Sequence, residues 1–294
     1  MSASLIKRNV KMYFKDKGLF FTSLITPMIL LFLYATFLSN VYKDSFFAGM
    51  PQGFVIEEKL LNGLAAGQLI SSLLAVSCIT VAFCSNFLMV QDKVNGTIKD
   101  LRISPVKPSV LSFTYYVATL ISTMLICLLA LGVCLLYAWF AGWYMSLQDV
   151  GLLTLDVVVL VLFGVALSSV INFFLSSQGQ ISAVGTLISS GYGFICGAYM
   201  PISSFSKGLQ KIVGFLPGTY GTSLLRNHAM GGALKELKAK GLPQEAIDGL
   251  RNMLDCDPEF LGKAVSTSSM YAVLGISVVV LVTVYILLNV LKKK

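Results

Sequence analysis

Charge is what this chain has least of. Acidic and basic side chains make up 12% of its 294 residues, about half the share of a soluble domain. A water-exposed surface needs more charge than that, so a soluble globular protein is excluded. Histidine is scarcer still, with one residue, and no cysteine stands near it at metal-ligand spacing; no metal site is expected. The sequence contains no G-x-x-x-x-G-K-[ST] segment, so it has no phosphate loop to cradle ATP. Cys78, Cys84, Cys127, Cys134 and Cys196 all fall within apolar runs and only Cys256 lies outside them. That leaves no pair for an extracytoplasmic disulfide, and the cysteines read as small hydrophobes.

Apolar residues make up 56% of the chain and come in long blocks. About twenty consecutive apolar residues span a bilayer as a helix. The blocks place spans at 19–41, 67–90, 109–137, 147–174, 180–200 and 267–291, the fourth interrupted by Asp149 and Asp156. Barrel strands would alternate apolar and polar residues; LITPMILLFLYATFL and VVVLVLFGVAL do not. The fold class is therefore an all-α polytopic membrane protein with six transmembrane helices in a single domain over 1–294. The first block follows a basic segment, has no small-residue cleavage site after it, and carries Phe37 and Tyr42 near its end. It reads as a permanent span.

Lys and Arg set the orientation. Lys7, Arg8, Lys11, Lys15, Lys17, then Lys93, Lys99, Arg102, Lys107, then Lys292, Lys293 and Lys294 share one side when six spans are counted. The segment 139–148 has neither residue, and 43–66 has only Lys43 and Lys59. Both termini are expected in the cytoplasm. The net charge of +8 is then a topology signal with anionic lipid headgroups as counter-ions, and no nucleic-acid partner is expected.

In residues 2–17, Ile6, Val10, Tyr13 and Phe14 recur at helical spacing opposite Lys7, Arg8, Lys11 and Lys15. Two roles fit: an amphipathic helix lying in the membrane interface and joined to the first span at Gly18, or a basic anchor only. Residues 92–108, DKVNGTIKDLRISPVKP, form a charged loop between the second and third spans. Gly96-Thr97 offers a turn and a cap, and Ser104-Pro105 a stop. Between them Ile98 and Leu101 share one face, an apolar edge suited to a partner's groove.

This loop resembles that of the type-2 ABC exporter permeases, which carry an acid–base pair, Gly-Thr, a leucine-containing turn and Ser-Pro after the second span. Here these are Asp92, Lys93, Gly96, Thr97, Leu101, Ser104 and Pro105, with Val94 where many members have a second acid. The segment 193–226 is similar too, through Pro201, Leu209, Pro217, Thr219, Tyr220 and Arg226, but Gly218 stands in place of a Leu.

The resemblance implies a coupling helix in 92–108 that docks on a separate ABC ATPase subunit. Gly96, Thr97, Leu101 and Arg102 would couple, and Asp92 and Lys93 would position the helix. It also implies two short re-entrant helices after the fifth span, with Pro201, Pro217 and Tyr220 shaping an outer gate. Mg-ATP would bind the partner ATPase, leaving this chain without a cofactor. LSSQGQ at 175–180 faintly resembles an ABC signature sequence, but lies between two spans and reads as a tight turn.

The insertion 228–264 contains two helix patterns, ALKELKAK and EAIDGLRNML, separated by Gly241 and Pro243. It is either a small solvated cap, with His228 a polar residue at its base, or a lid or docking site. Asp156 is the acid deep inside an apolar block, a costly position; it lines a translocation path, pairs with a neighbouring span, or lies near the outer headgroups. Gly193 and Gly197 form a GxxxG pattern, and the resemblance implies a dimer seam there, as a homodimer or with a second permease.

The function these features imply is the permease subunit of an ATP-driven exporter of an amphiphilic, drug-, antibiotic- or lipid-like substrate, not itself an enzyme. An ion-coupled secondary transporter using Asp156 is the alternative, and a membrane-embedded enzyme has no visible nucleophile–base pair. The sole N-x-[ST] sequon, Asn95-Gly96-Thr97, falls on the expected cytoplasmic side and could not be glycosylated there; a bacterial plasma membrane is expected, in part as what the family resemblance implies.

Overall fold

The computed structural model describes residues 2–48, 56–103, 106–260 and 262–291. The described chain is helical apart from loops and one two-stranded hairpin. Helix α1 (Ser2–Lys15) meets α2 (Lys17–Leu33) at a bend of 68°. The joint falls at Asp16 and not at Gly18, because the Asp16 carboxylate accepts the Leu19 N–H at 3.1 Å and caps α2. Pro27 sits inside α2, which passes through a π turn (Tyr34–Leu38) into α3 (Ser39–Ala48).

Helix α4 (Glu58–Val94) is the central element. Apart from Asn62, every residue from Leu60 to Val90 is buried. α5 (Thr97–Ile103) follows directly. Then α6 (Pro108–Ala141), α7 (Leu147–Phe174), α8 (Gln178–Ile195) and α10 (Pro217–Ala239) join α2 around α4, and α12 (Thr267–Leu291) closes over α7 and α10. Several buried hydroxyls of α4 are satisfied within the helix: Ser77 donates to the Leu73 carbonyl at 2.6 Å and Thr80 to Val76 at 3.0 Å, while Ser72 finds no partner among the described residues. Asn86 reaches across to Ser168 and Ser169 of α7 at 3.2 and 3.0 Å.

Four helices, α4, α6, α7 and α12, are long and apolar enough to cross a membrane, or five elements if the bent α1–α2 pair counts as one. The segment expected as the fifth span, 180–200, differs. α8 has 18 residues, ends at Ile195, and carries Gln178, Gln180, several hydroxyls and four glycines. Its composition is too polar for the same test.

At one face the ends of the chain converge. Ser112, near the start of α6, donates to Asn289 near the end of α12 at 2.6 Å, and Tyr285 donates to the Ser112 carbonyl at 3.3 Å. Lys292, Lys293 and Lys294 lie outside the described residues. At the opposite face stand α9 (Lys207–Gly214), the end of α10, α11 (Gln244–Met253) and the hairpin β1 (Glu259–Phe260) with β2 (Lys263–Ala264). Of the two short helices expected after the fifth span, α9 is short at eight residues but α10 is not, and the ALKELKAK pattern is helical as read while continuing α10. α10 is one helix of 23 residues, and ALKELKAK forms its last turns, ended at Gly241 with φ +92°. Leu237, Leu242, Ile247, Leu250 and Leu254 are buried, so this cap has an apolar interior continuous with the main core.

α7 approaches α4 closely at Gly164, where a Cβ would lie 2.7 Å from the Cys78 carbonyl oxygen. Gly164→Leu should therefore push the two helices apart and destabilise the fold by about 1–3 kcal/mol. The expected result is a lower temperature for loss of the monodisperse peak in detergent gel filtration; an unchanged temperature would show that this contact is not needed.

Candidate functional site

The link from α4 to α5 is two residues long. Gly96 adopts φ +80°, a backbone conformation that glycine takes without a Cβ penalty. Its carbonyl accepts the N–H groups of Lys99 at 2.8 Å and Asp100 at 3.4 Å, so Gly96, ahead of Thr97, holds the cap position. The expected stop, Ser104-Pro105, and the Arg102 side chain lie outside the described residues.

The apolar edge of α5 does not project as the sequence suggests. Ile98 and Leu101 pack, with Val106, against a buried cluster of Met89, Leu111 and Tyr115. A seven-residue helix cannot leave its apolar edge in water when the ends of α4 and α6 offer an apolar surface beside it. The outer side of α5 presents Lys99, Asp100 and Ile103, the last 86% exposed.

Asp92 and Lys93, one turn before α5, point in different directions and hold different helices. The buried Asp92 carboxylate receives Arg8 of α1 at 2.7 and 3.3 Å and the Tyr115 hydroxyl of α6 at 2.5 Å. Arg8 also donates to Asn9 at 2.8 Å. Lys93 donates to the carbonyls of Asn172, Phe173 and Leu175, at 3.1, 3.0 and 3.2 Å. These carbonyls lie at the C-terminus of α7, where the helix dipole favours a cation. Two adjacent residues thus tie the end of α4 to α1, α6 and α7. Nothing in the sequence marks Arg8 or Tyr115 as partners of Asp92; Arg8 looks like one more interface cation.

At the other face, Asp156 of α7 is buried and paired. Its carboxylate meets His228 Nδ1 of α10 at 2.5 Å and accepts from the Tyr271 hydroxyl of α12. Of the roles open to Asp156, pairing with neighbouring helices is the one observed. His228 is accordingly no bystander at the base of the insertion.

Above this cluster the Arg226 guanidinium, fully buried, joins Asp255 at 3.1 Å and the Gly197 carbonyl. Asp255 also accepts the N–H groups of Ile202 at 2.6 Å and Ser203 at 3.3 Å. Burial pushes the Asp255 carboxyl up, opposed by the Arg226 charge and by those two amides. Arg251 chelates Asp257 at 2.6 Å through two nitrogens and reaches Asn227 at 2.8 Å. Pro217 starts α10, and the Tyr220 hydroxyl donates to the Gly214 carbonyl at 2.6 Å, closing the α9–α10 corner. Pro201 leads into a short 3-10 turn, Ile202–Ser204.

The pair Gly193 and Gly197 does not form a seam on one helix face. A Cβ at Gly193 would overlap the ring of the chain's own Tyr199. Gly197 lies beyond the end of α8 with φ +75°, packed against Ile202. Both glycines serve a turn within the chain. Among the described residues, no three His, Cys, Asp or Glu side chains gather as a metal site would require.

The Arg8–Asp92 pair makes a direct prediction. Arg8→Ala and Asp92→Ala should each lower the thermal unfolding midpoint in detergent, and the double variant should lose less than the sum. The coupling should be about 1–3 kcal/mol, as for contacting residues in one network; additive losses would show the contact to be energetically idle.

A comparison with curated proteins returned no match. Against protein families, residues 3–229 match the family described as ABC-2 type transporter. The match runs from α1 to His228 and its neighbour, so it includes α5, the Asp92–Lys93 clamps and Asp156, while α11 and the hairpin lie beyond it. Members are transmembrane permease components that generally pair with ABC ATPase subunits. The central buried helix, the short helix at its end and the several apolar helices around it fit that role, and the chain belongs to the ABC-2 type transporter family as a multi-pass membrane permease of an ABC transporter.

Proposed function

We propose that this permease exports an amphiphilic, drug-, antibiotic- or lipid-like substrate, working as a dimer with itself or with a second permease on two separate ATPase subunits. Mg-ATP binds those subunits. The observation that carries this reading is the seat of α5, which rests on the ends of α4 and α6 and is joined to α4 through Asn95 and Gly96. A force on α5 reaches the helix that nearly every other span packs against.

ATP-driven closure of the ATPases moves α5. Asp92 carries the displacement to α1 and α6 through Arg8 and Tyr115, and Lys93 carries it to α7. Gly96 and Thr97 set the angle of α5, Leu101 holds it to the membrane body, and Arg102 and Ile103 meet the ATPase. At the far end α7 carries Asp156, which joins His228 of α10 and Tyr271 of α12, and this cluster with the corner shaped by Pro201, Pro217 and Tyr220 forms the outer gate.

Two helices leave suitable surface for a cargo path between protomers. α2 exposes Phe21, Met28 and Phe32, and α8 exposes Leu187 and Phe194 beside Ser182, Thr186 and Ser190. Apolar surface interleaved with hydroxyls suits an amphiphile. The basic residues around α1 and α5 put that face in the cytoplasm with both termini, and α8 counts as the fifth of six spans. The Asn95 sequon at this face supports a bacterial plasma membrane.

The ion-coupled reading retains one observation, a buried carboxylate bonded to an imidazole in mid-chain. Asp156→Asn separates the two. As an exporter, the variant should keep ATP-dependent transport in vesicles, because an amide can still bond His228 and Tyr271. Loss of transport together with wild-type transport driven by an ion gradient without ATP would reject the exporter reading.

Ile103→Asp should weaken co-purification of the ATPase about tenfold, equivalent to ~1.4 kcal/mol, with an unchanged melting temperature of the permease. Leu101→Asp should lower that temperature as well, since it disrupts the seat of α5 on its own chain. Undiminished ATPase binding and coupled transport in both variants would remove α5 from the mechanism.

A further inference from the structure

One departure from the family pattern, Gly218, lies at the wall of a recess beside the corner where Pro217 starts α10. The recess holds about 430 Å³, within the range of about 300–1,000 Å³ for small-molecule sites. Its walls are Phe163 and Leu167 of α7, Leu216 and Pro217 at the start of α10, and Val280 and Leu281 of α12. Tyr192 of α8 completes it. A leucine at 218 could not coexist with this arrangement, because even a Cβ there would overlap the Tyr192 hydroxyl. The absence of a side chain at 218 is what lets that hydroxyl stand over the first turn of α10.

The hydroxyl has no hydrogen-bond partner among the described residues, although Tyr192 is 8% exposed. A buried hydroxyl without a partner is costly, and the first turn of α10 does little to crowd it with other donors, since Pro217 has no N–H and the Thr219 N–H is already bonded to the Leu216 carbonyl at 3.1 Å. The recess therefore offers the Tyr192 hydroxyl as a donor at one wall and mainly hydrocarbon elsewhere. Water suits such a place poorly, since a buried water needs about two to four polar partners.

The mouth identifies what fills it. Of the lining residues, Ile195, Leu216 and Val280 are 44%, 38% and 53% exposed, and in a multi-pass membrane protein that apolar flank meets lipid tails. We propose that the recess is a binding site for one acyl chain of a bilayer lipid, whose ester carbonyl accepts a hydrogen bond from Tyr192. The chain lies between α10 and α12, filling the space a larger side chain at 218 would close. The lipid supplies the acceptor that the protein lacks. The site is independent of how transport is powered, and although it takes Tyr192 and Ile195 from α8, its walls include none of the cargo-face residues Ser182, Thr186, Leu187, Ser190 or Phe194.

The test uses the full chain in vesicles of phosphatidylethanolamine and phosphatidylglycerol containing a diacyl phospholipid with a photoactivatable diazirine on one chain. A matched probe has ether in place of ester linkages and so lacks the carbonyl. Cross-linked peptides are located by mass spectrometry, with the exposed residues Ile286 and Val290 at the other end of α12 as the reference for ordinary annular contact. The expected result is labelling around Phe163, Tyr192 and Pro217 well above that reference with the ester probe. Tyr192→Phe, which preserves the volume of the recess, should cut that labelling about three- to tenfold, the range of one net hydrogen bond, and leave ether-probe labelling unchanged. Val280→Trp, a lipid-facing change at the mouth, should abolish recess labelling by both probes and spare the reference. Annular contact only, with recess labelling no higher than at Ile286 and Val290, would overturn the proposal. So would an ester-to-ether ratio that Tyr192→Phe does not change, or recess labelling that survives Val280→Trp.

Discussion

The fold depends on a helix that touches almost nothing but protein. In a bilayer, an apolar helix gains little by leaving lipid for protein, so association rests on close packing and on polar contacts between helices. α4 uses both. Gly164 of α7 lets backbone meet backbone at Cys78, and Asn86 bridges to the Ser168–Ser169 pair. A helix surrounded in this way fixes the positions of its neighbours, and any element attached to its end acts on all of them.

The polar groups of the chain follow from that arrangement. Asp92 and Asp156 are both nearly fully buried, and each is shared among three helices: α4, α1 and α6 for Asp92, and α7, α10 and α12 for Asp156. Leaving either carboxylate unpaired would be strongly unfavourable. Each cluster therefore holds together helices that hydrophobic packing alone would leave free to slide. One cluster lies beside α5 and the other below the cap, so the two ends of the bundle are fastened by the same device.

Much of this was legible in the sequence because the bilayer imposes a simple rule of length and polarity. The spans that became α4, α6, α7 and α12 could be read directly, and 92–108 stood out as charge between apolar blocks. Other features depended on contacts far apart in the chain. Arg8 lies 84 residues from Asp92, and Asp156 lies 72 residues from His228, beyond the reach of any local pattern. The GxxxG pattern at Gly193 and Gly197 misled because spacing alone cannot show where a helix ends. The edge formed by Ile98 and Leu101 was visible, but the surface that covers it was not, since Tyr115 and Leu111 belong to another helix.

Adjacent helices of very different reach have a consequence for the membrane itself. α4 has 37 residues and α8, packed on it, has 18, or about 55 and 27 Å of helix at 1.5 Å per residue. The hydrocarbon layer is about 30 Å thick. α4, buried in protein along nearly its whole length, runs well past such a layer, while α8 is shorter than the layer is thick. Such mismatch is relieved by thinning or tilting at a modest cost per ångström. The lipid composition around the protein is therefore a mechanical load on the bundle, set by the membrane and felt wherever α8 moves against α4.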